Sequence, residues 1–266
     1  MKKGRVLLLF SINLLGNISK GYPYVFNGRR LITTLSLYNN KDHNSNNSNN
    51  NNENDNMKFS FIKKRYVSKK KNVNVNDEKY ISNVMYQWVK KFVFGLQLCP
   101  FSGSVLSNNQ MNIKVMNDDD NNNGLQNIFD YIIEESKLIS KSNKDSKYTT
   151  TLLVLSSNVW NDFHNYLQLV EDVENLLTST KLDEDIQIAS FHPEYIFADT
   201  DESSVENYTN RSPYPCLHLL KVEEVTKAIQ SYGNTQNIYE NNIKTMHTLG
   251  LEKIVKMNED IINEVK

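Results

Sequence analysis

Arginine is almost missing from the greater part of this 266-residue chain: residues 77–266 hold fifteen lysines and one arginine, Arg211. Cysteine is as sparse, with only Cys99 and Cys216. Two thiols are too few for a disulfide scaffold, though one bridge could join them if their side chains meet. No Cys-x-x-Cys or His-x-x-x-His pair fixes half of a zinc site. The apolar stretch from Val6 to Leu15 is too short to cross a bilayer, which takes roughly 20 residues, and no other run is long enough. Internal repeats are absent as well. These gaps exclude repeat architectures and an integral membrane segment in the main domain.

The charge that is present is unevenly spread. Residues 1–76 carry fourteen Lys and Arg against three Asp and Glu, a net of +11, while residues 77–266 carry a net of −12. A basic leader on an acidic globular domain explains the near-zero total and argues against nucleic acid as a partner. Met1 to Arg5 is a charged n-region, Val6 to Leu15 an apolar h-region, and Gly16 to Ser19 supply small residues for cleavage. The basic, acid-poor stretch that follows reads as a transit segment, interrupted by an asparagine tract at 44–56 that has little apolar surface to bury. Signal plus transit predicts import into a plastid of the apicoplast type; a mitochondrial leader or a secreted protein are the alternatives. The expected organisation is a leader and linker at 1–76 and one globular domain at 77–266.

Periodicity supplies the fold class. Asp77 is a cap candidate for a helix whose stripe runs Ile81, Val84, Met85, Trp88, Phe92 and Leu96, ending at about Leu98 because Pro100 restrains Cys99. Met111, Ile113 and Val115 alternate as in a half-exposed strand. Residues 125–140 return to helical spacing through Leu125, Ile128, Phe129, Ile132, Ser136 and Ile139. Leu152 to Leu155 read as a strand covered on both faces. A helix at 159–177 (Trp160, Phe163, Leu167, Val170, Val173) and a strand at 186–191 follow, then a short strand at 217–220, helices at 222–232 and 235–248, and a helical tail after Gly250. The expectation is an α/β domain with a three- to four-stranded, largely parallel sheet and helices packed on it, in the order α-β-α-β-α-β-(β)-α-α. Ligands of such sheets sit at the carboxyl ends of the strands. Ser156-Ser157, His192-Pro193 and the polar segment 198–216 converge there.

The chemistry-bearing residues divide accordingly. Arg211 offers a planar fork suited to a carboxylate or phosphate, with Asn210, Ser212 and Tyr214 as neutral partners. The same fork can instead pin its own loop through backbone carbonyls or an acid such as Glu194 or Asp199. His192 suits proton transfer near neutral pH, or a structural role at the sheet edge. His218 alternates with Leu217 and Leu219 and reads as packed, as do His164 and His247 on helices. Cys99 is a candidate nucleophile, but a helix C-terminus gives it the wrong dipole for a thiolate, which favours a small buried residue. Cys99, His192, Cys216 and His218 form the one chemically apt zinc set. Asp119, Asn121, Asn123, Gly124 and Asp130 imitate a calcium loop, but Asp replaces the bidentate Glu and a strand precedes the loop.

Three ordered motifs carry a resemblance. Gly95-Leu96-Gln97-Leu98-Cys99-Pro100-Phe101, then Ser190-Phe191-His192-Pro193-Glu194-Tyr195-Ile196-Phe197-Ala198, then Asn210-Arg211-Ser212-Pro213-Tyr214-Pro215 with His218-Leu219-Leu220, resemble domain of unknown function family 1415 over about 77–255. Gln97 stands where that family usually has asparagine, and Cys216 where methionine is common, which weakens a metal site that needs Cys216. The asparagine-rich stretch 117–123 then reads as a loop insertion. The resemblance implies a domain and carries no activity or cofactor.

Two expectations follow. One is a small soluble enzyme acting on an anionic metabolite, with Arg211 holding the anion, His192 moving a proton and Cys99 as nucleophile or pocket wall. The other is a non-catalytic ligand-binding or assembly module.

Overall fold

A computed structural model of the chain describes residues 78–117, 124–141, 148–198, 200–232 and 235–265. The leader and linker, the Asp77 cap, Asp199, and the calcium-like positions Asp119, Asn121 and Asn123 lie outside the described residues.

The first helix, α1 (Glu78–Trp88), runs into a π-helical turn at Val89–Phe94, so regular helix stops earlier than the expected Leu98. A short helix the periodicity does not signal, α2 (Ser102–Ser107), follows at once. Then come β1 (Met111–Met116), α3 (Gly124–Lys141), β2 (Thr150–Leu155), α4 (Phe163–Ser179) and β3 (Ile186–Phe191). After the loop 192–215 come β4 (Cys216–Lys221), α5 (Val222–Tyr232), α6 (Thr235–Leu249) and α7 (Leu251–Glu264). Gly250 joins the last two helices at φ +72°, a conformation that costs glycine little.

The α/β class is as expected, with a four-stranded mixed sheet in the order β1-β2-β4-β3. The first three strands share one direction, since β1 pairs parallel with β2 while β2 and β3 both pair antiparallel with β4. The expected short fourth strand is therefore a central one. The loop explains its direction: Phe191, at the end of β3, is in register with Cys216, at the start of β4. A loop that returns to the edge it left sends the chain back antiparallel.

The strands' period of two divides the core into two layers. Leu152, Val154, Phe191, Cys216 and Leu220 pack with buried residues of α1, α6 and α7. Leu153, Leu155, Ile186, Leu217 and Leu219 pack with those of α3 and α4. Every residue of β2 is buried. Each such Leu contributes about 1.5–3 kcal/mol of burial.

Two helix stripes differ in detail from the expectation. Leu125 is 43% exposed at the start of α3. On α4 the buried stripe is Tyr166, Leu169, Val173 and Leu177, one position off the expected Leu167 and Val170. A 3-10 turn at Asn158–Asn161 separates Trp160 from the helix, and Asp162 caps α4 by accepting from the Asn165 N–H at 2.9 Å. Counting helical phase from Trp160 therefore starts in the wrong element.

Candidate functional site: the loop between β3 and β4

The carboxyl ends of β2 and β3 and the start of β4 meet at one edge, and the loop 192–215 covers it. Its backbone has to satisfy buried polar groups without a ladder. The side chains that sequence reading singled out do that work.

His192 is fully buried. The Glu194 N–H donates to its Nδ1 at 3.0 Å, so Nδ1 carries no proton. The ring is thus the neutral Nε2–H tautomer, donating to the Trp160 carbonyl at 3.0 Å. Phe163 and Tyr166 flank it, with ring centroids 5.0 and 5.1 Å away. Both nitrogens are committed, one to each side of the edge.

Asn210, also fully buried, donates from Nδ2 to the Ser190 carbonyl at 3.1 Å, and its own carbonyl accepts the His192 N–H at 3.1 Å. Arg211 is 6% exposed. Its Nε donates to the Tyr195 carbonyl at 3.0 Å and its Nη2 to the Glu202 carbonyl at 2.9 Å. The guanidinium also lies 4.7 Å from the Tyr208 ring centroid. Burial pulls its pKa below the ordinary arginine value, opposed by Tyr208, Glu202 and Glu194. Ser212 donates to the Tyr214 carbonyl at 2.6 Å and receives the Cys216 thiol at 3.9 Å. Tyr214 is buried, which pushes its phenol up to about 12, with Tyr80 adding to the effect. The second and third motifs are thus stitched together, Asn210 to Ser190 and His192, Arg211 to Tyr195.

Cys99 stands apart, in the α1–α7 layer of the core. The N–H groups of Phe101 and Ser102, opening α2, favour its thiolate, but burial outweighs them and pushes the thiol up to about 11. It is a thiol at neutral pH. The surrounding motif shapes a turn: Gln97 adopts φ +55°, and the Leu98 N–H reaches back to the Val93 carbonyl at 2.9 Å. Asparagine visits that left-handed region more readily than glutamine.

The zinc set does not assemble. Among the described residues no group of three or more His, Cys, Asp and Glu is arranged to hold a metal. His192 has spent both nitrogens, and His218 is tied elsewhere. Thr150 gives its one hydroxyl proton to the Leu219 carbonyl at 2.6 Å, so its oxygen accepts from His218 Nε2 at 2.8 Å. Burial holds the His218 pKa down to about 4. His164 and His247 are exposed on their helices instead of packed, and His247 lies 3.0 Å from Glu206. Asp130, the last of the calcium-like positions, lies within α3 and accepts from Gln126 at 2.8 Å.

Two residues essential to this edge escaped sequence reading. Asn207 is fully buried; its Oδ1 accepts from the Phe197 N–H at 3.0 Å and the Thr200 hydroxyl at 2.7 Å, and its Nδ2 donates to the Asp201 carbonyl at 2.8 Å. In a chain rich in asparagine nothing marks this one. Tyr166 accepts the Phe191 N–H at 2.9 Å and donates to the Cys216 carbonyl at 2.7 Å, closing the β3–β4 ladder where the loop begins.

Residues 80–256 match the family described as protein of unknown function, DUF1415. The chain belongs to the DUF1415 family. The match begins in α1, ends in α7 and takes in all four strands and the loop. No curated protein and no solved structure matches the chain. In this DUF1415 chain the three motifs become a helix-ending turn and two halves of one loop. Among the described residues no helix is long and apolar enough to cross a membrane.

Proposed function

We propose that this DUF1415 chain is a non-catalytic binding or assembly module whose 192–215 loop is a fixed cap on the sheet edge. The observation that carries this reading is the commitment of both His192 nitrogens and of the Arg211 Nε and Nη2 to backbone groups. A general base needs a nitrogen turned toward a substrate proton, and an anion clamp needs the guanidinium fork turned toward the anion. Here the histidine ring joins two loops, and the arginine holds the turn between Tyr195 and Glu202. The Cys99 thiol, buried and held above the ordinary cysteine range, fits the same reading.

The test is Arg211→Lys in the full chain, followed by thermal unfolding with and without millimolar phosphate and malate. Lysine cannot reproduce the two-pronged geometry. Stability should fall by about 2 kcal/mol, with no anion-induced rise in melting temperature in either protein. A wild-type chain stabilised by an anion, alongside a variant of unchanged stability that has lost that response, overturns the reading in favour of an enzyme acting on an anionic metabolite.

A further inference from the structure

We infer that the surface formed by α4 and the outer side of the 192–206 segment docks a lysine- and arginine-rich segment of a partner polypeptide. The inference rests on the reading of the loop as a fixed module, and adds to it the partner's chemistry.

The aromatic rings at this edge form a continuous series from core to surface. His192 lies tilted against Phe163 at 5.0 Å, Phe163 lies 5.5 Å from Tyr195, and Tyr195 lies 5.0 Å from Phe197. The inner members, His192 and Tyr166, are fully buried, whereas Phe163, Tyr195, Ile196 and Phe197 keep part of their surface in solvent. Such a series ends as a rigid apolar and π-bearing platform, because the hydrogen bonds of Asn207 and Arg211 fix the backbone that carries it.

Charge decides what the platform suits. Residues 151–211 contain twelve Asp and Glu against two cations, Arg211, buried under the loop, and Lys181, which follows the far end of α4 from Phe163. Burial raises the Tyr195 phenol and Glu174 adds to it, while burial lowers the Arg211 pKa against the opposing charges of Glu202 and Glu194. Carboxylates around partly exposed rings repel nucleic acid and anionic lipid and attract ammonium and guanidinium groups, which also gain from the accessible part of the ring surface. A basic peptide satisfies both features at once.

The experiment is a titration of a fluorescein-labelled (Lys-Arg-Gly)4 peptide with the full chain, followed by fluorescence anisotropy. Saturable binding is expected, weakened about tenfold by added salt. The Glu174→Lys/Glu202→Lys double variant should weaken binding by about tenfold or more, and Phe197→Ala by several-fold. Asp183→Lys/Glu184→Lys, an equal change of charge beyond the far end of α4, should leave it nearly intact. Equal weakening by the two charge-reversal pairs reduces the effect to general acidity and overturns the proposal. Absence of saturable binding overturns it too. If binding then appears on Lys69→Gln/Lys70→Gln/Lys71→Gln, the occupant is this chain's own basic segment. Peptide binding that fails while Arg211→Lys still lowers stability removes the docking surface alone and leaves the fixed-loop reading standing.

Discussion

Buried and half-buried polar side chains form two contrasting clusters in this molecule, and they serve different ends. In the loop 192–215, His192, Asn207, Asn210 and Arg211 bond mainly to backbone N–H and carbonyl groups, with a minority of side-chain partners such as Thr200 and Thr209. Under α3, by contrast, side chains bond to one another: Glu135 accepts from Thr151 and, at 3.3 Å, from Asn112, which also reaches the Tyr131 hydroxyl at 3.4 Å. The first arrangement replaces a missing ladder and so determines the path of the chain. The second only fixes how one helix sits on a sheet that is already paired. Polar burial by itself therefore does not point to a reaction; its partners reveal what it is for.

The comparison can be broken most severely at Asn207. Asn207→Ala removes the partner of the Phe197 N–H and a partner of the Asp201 carbonyl, and leaves the Thr200 hydroxyl only the Phe197 carbonyl; it should cost about 3 kcal/mol, read as a shift of the urea midpoint. A cost below about 1 kcal/mol would mean that water substitutes freely and that the loop does not depend on its side chains.

His218 sharpens the comparison, being a central-strand residue whose Nε2 meets the Thr150 hydroxyl. Its folded pKa of about 4 lies below the unfolded value near 6.5. The unfolded chain therefore binds the extra proton between those values, and stability falls as pH drops from about 6.5 toward 4. The stabilisation present above pH 6.5 and lost by pH 4 is about 2–3 kcal/mol. His218→Gln should flatten that part of the pH profile; an unchanged slope would assign it to other groups.

The smallest effect belongs to the α3 cluster. Glu135→Gln keeps an acceptor oxygen and a half-buried position, so a change under about 1 kcal/mol is expected. A loss as large as that of Asn207→Ala would erase the distinction between the two regions.

Much of the fold was legible because burial imposes periods that can be read directly. Ile81, Val84, Met85 and Trp88 mark one helix face, and the unbroken run Leu152 to Leu155 marks a strand with both faces covered. The central position of β4 was not legible, because pairing partners leave no trace in a strand's own period. The phase of α4 was misread across a 3-10 turn, and with it Tyr166 was missed. Arg211 was found by its rarity, which locates a special residue without revealing whether its fork meets a ligand or a carbonyl. Only the neighbouring backbone distinguishes those roles.

The central claim is that the His192 ring is spent inside the loop. The most direct test is an NMR measurement on deuterated, 15N-labelled full chain at pH 7 of the scalar coupling across the Glu194 N–H to His192 Nδ1 hydrogen bond. The account predicts a resolved coupling, an Nε2–H ring, and no change of either when phosphate is added. A protonated Nδ1, or a coupling that vanishes as phosphate binds, would contradict it.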